Sequence, residues 1–389
     1  MGVRTARGKI VGVLVALATT GAVFAIPTAT ALDHSAPAGH QATREAMDAQ
    51  VAAGVPGVLG EVRVGPGDGR VWGGTAGVAD LRTERPRLPE DRFRAGSITK
   101  SFVATLVLQL EAEGRLSLDD TVEEWLPGVV RGHGHDGSAV TIRQLLNHTS
   151  GVYSYNADPE LQEGVFGPGF EKHRFDTWAP RQLVDIAMRH EPDFAPGTAW
   201  GYSNTNYVLA GMIVEKATHG TYAEAVERRI LAPLGMRSTA LPGVAVTMPV
   251  PHGRAYSSLG ATGLTDEVRD TTELSPTIAG PAGEIISTAG DLNRFYRALL
   301  RGELLPEPQQ RELLTTVPTG QGSMRYGLGL SVERLSCGVT VYGHGGGIHG
   351  SSSLAHTTRD GDHSAVFNIN ADYAGDLSKL SEAEFCGTD

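Results

Sequence analysis

Two side chains one helical turn apart, Ser97 and Lys100, carry the most pointed chemistry in this sequence, in the stretch Arg94-Ala95-Gly96-Ser97-Ile98-Thr99-Lys100. From Phe102 to Leu110 the apolar residues recur at the i, i+3, i+4 spacing of a helix, and the polar residues before them make a start. Ser97 is therefore expected at or near a helix N-terminus. Residues i and i+3 of a helix lie one above the other, which brings hydroxyl and amine within hydrogen-bond reach. A serine hydroxyl is a weak nucleophile until a base takes its proton, and lysine can be that base only where burial or a positive neighbour favours its neutral form. Arginine could not serve, because it stays protonated. Of 33 basic residues, lysine occupies only positions 9, 100, 172, 216 and 379, so a lysine at 100 departs from the chain's habit of using arginine. Alone, a Ser-x-x-Lys tetrapeptide also arises by chance, and both readings stay open.

Two later stretches could supply partners. Gly201-Tyr202-Ser203-Asn204-Thr205 comes close to a G-x-S-x-G nucleophile elbow but ends in threonine, and no strand, elbow, helix order surrounds it. It offers instead Tyr202 and Asn204 on a polar turn before a helix, with a core aromatic as the plain alternative for Tyr202. Gly345-Gly346-Gly347-Ile348-His349-Gly350 matches G-x-G-x-x-G after a strand, but Ser351-Ser352-Ser353-Leu354 begins no convincing helix, which argues against a dinucleotide site. A glycine run after a strand has another use: a substrate can lie close to bare N–H groups that act as oxyanion donors. Arg131-Gly132-His133-Gly134-His135-Asp136 lacks the helical histidine spacing of a zinc hydrolase and reads as a solvated loop.

The chain must place these groups with the elements that follow. A helix is expected from about His40 to Ala53, then a hairpin of Gly57–Val64 and Arg70–Ala79 about Gly65-Pro66-Gly67-Asp68-Gly69. Further helices are expected at 141–148, 180–190, 208–217, 222–230 and 291–300, strands at 326–330, 339–344 and 364–370, and a closing helix before Cys386. Residues 153–200, rich in glycine, proline and aromatics, read as binding loops.

Arg4, Arg7 and Lys9, the apolar run Ile10–Ile26 and Ala29-Thr30-Ala31 have the order of a secretory signal peptide cleaved after Ala31, with an uncleaved anchor as the alternative. The product would be secreted, and its two cysteines, Cys337 and Cys386, are then expected to form one disulfide. A formal net charge of −11 and the lack of a basic patch exclude nucleic acid and anionic membrane surfaces as partners.

With Ser97-Ile98-Thr99-Lys100, Tyr202-Ser203-Asn204 and His344-Gly345-Gly346 in this order and at these separations, the chain resembles the exported serine D-alanyl-D-alanine carboxypeptidases of the penicillin-binding, class C β-lactamase superfamily. The flanking Tyr326-Gly327-Leu328-Gly329-Leu330 and Leu335-Ser336-Cys337-Gly338 look like the same group. The resemblance implies an α/β (α+β) fold, with an antiparallel sheet flanked by helices and a mostly helical inserted domain. The sheet part would come from about 40–92 and 283–389 and the helical part from about 93–282. It implies Ser97 as nucleophile, Lys100 and Tyr202 as proton carriers, Asn204, His344, Gly345 and Gly346 as orienting residues, and the backbone N–H groups of Ser97 and Gly347 as oxyanion donors. For His344, simple packing at the strand edge is the alternative. Neither cofactor nor metal is required. The expected partners are a peptidoglycan-type peptide or a small acyl substrate, with β-lactams as inhibitors, and the expected state is a monomer.

Two positions depart from that pattern. Where the family's carboxypeptidases carry a threonine and an arginine that hold the terminal carboxylate, this chain has Gly345 and Ser331, and only another arginine such as Arg334 could replace the clamp. Three activities follow: a D,D-carboxypeptidase, an esterase, amidase or D-amino-acid peptidase on the same scaffold, or a sensor that is acylated without turnover.

Overall fold

The computed structural model describes residues 39–259 and 268–387. The expected signal segment, residues 1–31, lies outside the described residues. Eight antiparallel strands form one sheet: β1 (Gly57–Val64), β2 (Arg70–Gly77), β3 (Val317–Pro318), β4 (Arg325–Tyr326), β5 (Ser331–Arg334), β6 (Thr340–Ile348), β7 (Ser351–Thr358) and β8 (His363–Ile369). Their spatial order is β2-β1-β8-β7-β6-β5-β4-β3, so the N-terminal hairpin pairs directly with the last strand, Val58 opposite Ile369 and Val64 opposite His363. The sheet cannot close until both ends of the chain have been made.

Alternation along β1 sends Val58 and Val62 to one face and Leu59 to the other, and each face carries its own core. On the first face lie α1 (Gln41–Ala52) and α5 (Leu377–Cys386), with Met47, Trp72, Phe367 and Leu380 between them and the sheet. Glu384 joins these elements: its Oε2 accepts from Thr43 Oγ1 at 2.6 Å and lies 3.0 Å from His40 Nδ1, while its Oε1 lies 2.8 Å from His363 Nε2. Cys337, in the turn between β5 and β6, is disulfide-bonded to Cys386 at the end of α5.

The second face carries α4 (Ala289–Leu300), capped by Thr288, and behind it α2 (Thr99–Ala112) and α3 (Asn204–Thr218). The apolar spacing of 102–110 suggests a one-sided helix, yet Thr99 to Leu108 are all buried, because α2 runs through the centre between α3, α4 and the loop around Gly329. Its polar residues are satisfied locally. Ser101 Oγ donates to Gly329 O at 2.6 Å and meets Tyr296 Oη at 2.8 Å, and Thr105 Oγ1 donates to Ser101 O at 2.7 Å. Phe102 stacks on Phe295 of α4 with ring centroids 3.8 Å apart. Each such buried Leu or Phe contributes roughly 1.5–3 kcal/mol, which fixes α2 as the axis of the molecule.

Elsewhere the boundaries shift in ways that have local causes. The helix expected at 208–217 (α3) begins at Asn204, since Tyr207 and Asn206 are already buried. Of the expected strand at 326–330 only Tyr326 lies in a strand, at the end of β4, because Gly329 turns back at φ +68° against Lys100 O. Ser351–Thr358, for which the sequence names no element, is β7, between β8 and β6.

Removing the disulfide tests how the C-terminal tail is held. For the 49-residue separation of Cys337 and Cys386, the Cys337→Ser, Cys386→Ser double variant is expected to lose about 4 kcal/mol of unfolding free energy in the chain-entropy account. Urea titration reads this directly, and an unchanged midpoint refutes it.

Candidate active site

The segment before α2 is held from two sides. Ala95 N donates to Ile285 O at 2.8 Å, while from the sheet β7 sends Ser351 Oγ to Arg94 O at 2.9 Å and Ser353 Oγ to Ala95 O at 3.0 Å. Gly96 then turns at φ +56°, a region L side chains rarely enter, and a Cβ there would come within 2.7 Å of Gly347 N. The matching approach comes from β6, where a Cβ on Gly346 would sit 1.9 Å from Ala95 O. Glycine on both sides lets the strand lie directly against the Ser97 turn. Ser97 itself belongs to a short 3₁₀ turn, Gly96–Ile98, that runs directly into α2 at Thr99.

Lys100 is fully buried. Its Nζ lies 3.0 Å from Ser97 Oγ, 2.7 Å from Asn204 Oδ1 and 2.7 Å from Ala282 O. Burial pushes the amine well below the ordinary lysine value. The rings of Tyr202 and Tyr207, with centroids 4.8 and 5.6 Å from Nζ, oppose that in part by favouring the cation. The partners suit the neutral form. A carbonyl and an amide oxygen can only accept, so they take the two N–H bonds, and the lone pair is left facing the Ser97 O–H. Asn204 is oriented for this by donating Nδ2 to Asn156 Oδ1 at 2.9 Å, while its own N donates to Ser154 Oγ at 2.8 Å.

Tyr202 is not a core aromatic: about 36% of its surface is open to the cleft. Burial around its hydroxyl raises the phenol's pKa, and a hydrogen bond with the Ser97 side chain partly offsets that rise. Behind it stands a residue that sequence reading passed over. His148 is completely buried at φ +62°, its ring centroid 4.3 Å from that of Tyr202 and 4.9 Å from that of Tyr326. His148 Nδ1 accepts from Ser203 N at 3.2 Å and so holds the Tyr202-Ser203-Asn204 turn. Burial, then the nearby Lys100 and His344, keep its pKa well below the ordinary histidine value. Its only sequence signal is a histidine ahead of the Ser150-Gly151 turn.

His344 does more than pack. Tyr326 Oη donates to His344 Nε2 at 2.7 Å, and Nδ1 faces Gly345 O, so the ring is neutral, its pKa lowered to about 3 by burial and then by Lys100. Gly345 follows on β6, and Ser331 Oγ, opposite on β5, is taken up by Gly343 O at 2.8 Å. Arg334 does not replace a missing clamp: it is exposed, with its guanidinium beside Gly338. The G-x-G-x-x-G run lies in β6 and the turn into β7, which is not the helix start a dinucleotide needs.

Two lobes meet at Ser97. One, of about 400 Å³, is lined by Tyr155, Asn156, Phe166, Ile278, His349 and Asp372 among others. The second, of about 340 Å³, is lined by Trp200, Tyr202, Met324, Tyr326, Ser331 and His344–Gly346. Among the described residues, only Ser97 and Gly347 line both. A carbonyl carbon beside Ser97 would therefore have its two substituents in separate compartments, with the Gly347 backbone at the boundary.

Comparison with known proteins places this geometry among relatives. The family model described as Beta-lactamase matches residues 41–385. A solved D-stereospecific amidohydrolase from Streptomyces sp. is 57% identical, with a TM-score of 0.85 over 90% of this chain and 99% of the other. A D-amino acid amidase from Ochrobactrum anthropi SV3, solved with L-phenylalanine, is 28% identical, with a TM-score of 0.76 over 88% and 96% of the two chains. Penicillin-binding protein 4* of Bacillus subtilis strain 168 is 28% identical over 287 residues, 72% of this chain, which spans 60% of that relative's length.

The glycines of β6 separate the roles of close approach and open space. Gly346→Ala is expected to cost about 1–3 kcal/mol by forcing β6 off Ala95. Gly345→Ala, whose Cβ would meet nothing nearer than 3.8 Å, is expected to stay within about 0.5 kcal/mol of the parent. Thermal melts of both variants check the contrast, and equal melting temperatures would count against it.

Proposed function

The chain belongs to the Beta-lactamase family, and from that premise we propose that it is a secreted serine amidohydrolase that cleaves amides of D-amino acids through an acyl-enzyme on Ser97. Neutral Lys100 takes the Ser97 proton as Oγ attacks the carbonyl carbon. The oxyanion then lies against the backbone N–H groups of Ser97 and Gly347, where one such donor is worth about 3 kcal/mol. The proton taken by Lys100 passes by way of Tyr202 to the leaving nitrogen as the C–N bond breaks; water then adds to the acyl carbonyl, giving its proton to the same pair, and that proton returns to Ser97 Oγ as the acid leaves. Asn204 keeps the lysine lone pair on Ser97, and His148 and His344 act through Tyr202 and Tyr326.

The observation that carries this reading is the composition of the lobe on the Tyr202 side. Among its described lining residues there is no arginine or lysine, only Gly345 and Ser331 where a carboxylate clamp would stand. A leaving amine or ammonia fits it better than a C-terminal D-alanine with its charge. Likeness to the D-stereospecific amidohydrolase supports the D configuration and the amide bond. Likeness to penicillin-binding protein 4* supports a second activity, D-alanyl-D-alanine carboxypeptidase, with β-lactams as acylating inhibitors. Export rests on the Arg4–Ala31 segment, and the Cys337–Cys386 disulfide supports an oxidising compartment. One chain carries the full set of groups, so a monomer suffices.

Products of D-phenylalanine amide, a D-Ala-D-Ala peptide, a short-chain ester and a penicillin, read by mass spectrometry, test the assignment. Amide hydrolysis is expected to exceed D-alanine release by at least tenfold in kcat/KM, and the reverse order would install the carboxypeptidase. Ser97→Ala is expected to abolish all acyl transfer, and Lys100→Arg nearly so.

The pH profile follows from the direction of the lysine shift. Since the neutral amine is the active form, kcat/KM on an uncharged ester should rise with pH along an acid limb whose midpoint lies well below the ordinary lysine value of 10.5. A limb centred at 10.5 or above would remove Lys100 from the base role.

A further inference from the structure

We infer that Asp372 is the specificity-determining acid of the larger lobe and binds the α-ammonium group of the substrate, so that the enzyme takes D-amino-acid amides and peptides with a free amino terminus. The inference rests on the amidohydrolase reading for the direction in which the substrate lies. Tyr202, which protonates the leaving nitrogen, lines the smaller lobe, so the acyl portion occupies the larger one. In an amino-acid amide the ammonium sits on the carbon next to the attacked carbonyl and must therefore be accommodated on that side.

The groups there match an ammonium and no anion. Among the described residues that line the lobe, Asp372 is the one carboxylate and there is no arginine or lysine. Gly350 N donates to Asp372 Oδ2 at 2.8 Å, which anchors the carboxylate while its remaining lone pairs can still accept. Gly350 is held in turn, because at φ +71° a Cβ would meet Tyr256 N at 2.4 Å.

His349, 5% exposed, lines the same lobe. Its Nε2 lies 2.9 Å from Val165 O, so that nitrogen carries the proton, and Nδ1 is a buried acceptor without a partner in the structure. The ring lines the lobe in its neutral form, its pKa lowered to about 4 by burial, so it brings no positive charge to compete for the Asp372 carboxylate. Arg174, a cation on the same side, is engaged elsewhere: Nε donates to Glu273 O at 2.7 Å and Nη1 to Glu171 Oε2 at 3.1 Å and Asp270 O at 3.2 Å. Phe166, stacked over His349 at 5.3 Å, and Ile278 supply an apolar wall for the substrate side chain.

The test compares D-phenylalanine amide and D-phenylalanine methyl ester with their N-acetyl counterparts, on the parent and on Asp372→Asn. Asparagine keeps an acceptor for Gly350 N–H, so the turn is retained. The parent is expected to favour the free amines. In the variant KM for the free-amine substrates should rise roughly ten- to a hundredfold, as for loss of a charge-assisted hydrogen bond, with kcat within about threefold and the N-acetyl substrates unaffected. Equal losses on both kinds of substrate, or a parent that favours the N-acetyl compounds, would overturn the assignment. Ester discrimination that depends on Asp372, with no amide turned over, would sustain it and refute the amidohydrolase reading instead.

Discussion

An amine buried from solvent, with no carboxylate beside it among the described residues, is the constraint on which the site is built. Lys100 donates to Ala282 O and Asn204 Oδ1, and burial disfavours its charge, so the direction of the third hydrogen bond, the one to Ser97, depends on whether the lysine holds two protons or three. In the neutral form Ser97 donates and its oxygen lone pairs turn outward; in the charged form lysine donates and occupies one of them. The surrounding structure favours the first state. α2 is buried on every side, Asn204 is turned by Asn156, and Ala282 O is delivered by a 3₁₀ turn from a distant part of the chain.

Placing a reactive hydroxyl beside that amine also requires a backbone that tolerates crowding. β6 passes so near Ala95 that only glycine fits at 346, and the Ser97 turn needs a positive φ at Gly96. The serines of β7 donate to the carbonyls of Arg94 and Ala95, satisfying groups that the abrupt turn would otherwise strand. Because β7 lies between β6 and β8, and β8 pairs with β1, the turn is braced by strands from both ends of the chain. The disulfide at Cys386 and the Glu384 contacts hold the same arrangement from the other face. Stability at the back and geometry at the front are two properties of one sheet.

Much of this was legible in the residues, for reasons that differ from part to part. The Ser97–Lys100 pair is a local relation set by helical spacing, and the hairpin, α4 and the cysteine pair follow from short-range patterns. Three features were not legible. β7 reads Ser351-Ser352-Ser353-Leu354, a composition that names no strand, because its serines are chosen for bonds to a segment more than 250 residues away. Nothing periodic marks His148, whose role depends on Tyr202 and Tyr326 arriving from elsewhere. Asp372 follows a strand as an ordinary turn residue would, and only the fold brings it to the cavity that Ser97 lines.

The distribution of charge between the two lobes gives the site a polarity that acyl transfer by itself does not require. Ser97, Lys100 and Tyr202 would open an ester or an amide of either sense, and a clamp for a terminal carboxylate would have to stand on the Tyr202 side. That side is aromatic and uncharged, with Ser331 already bonded to Gly343 O, whereas the acidic group lies across the nucleophile. Under the proposed Asp372 reading, the recognised charge lies on the acyl group rather than on the leaving group, while the groups around the reacting carbonyl stay the same.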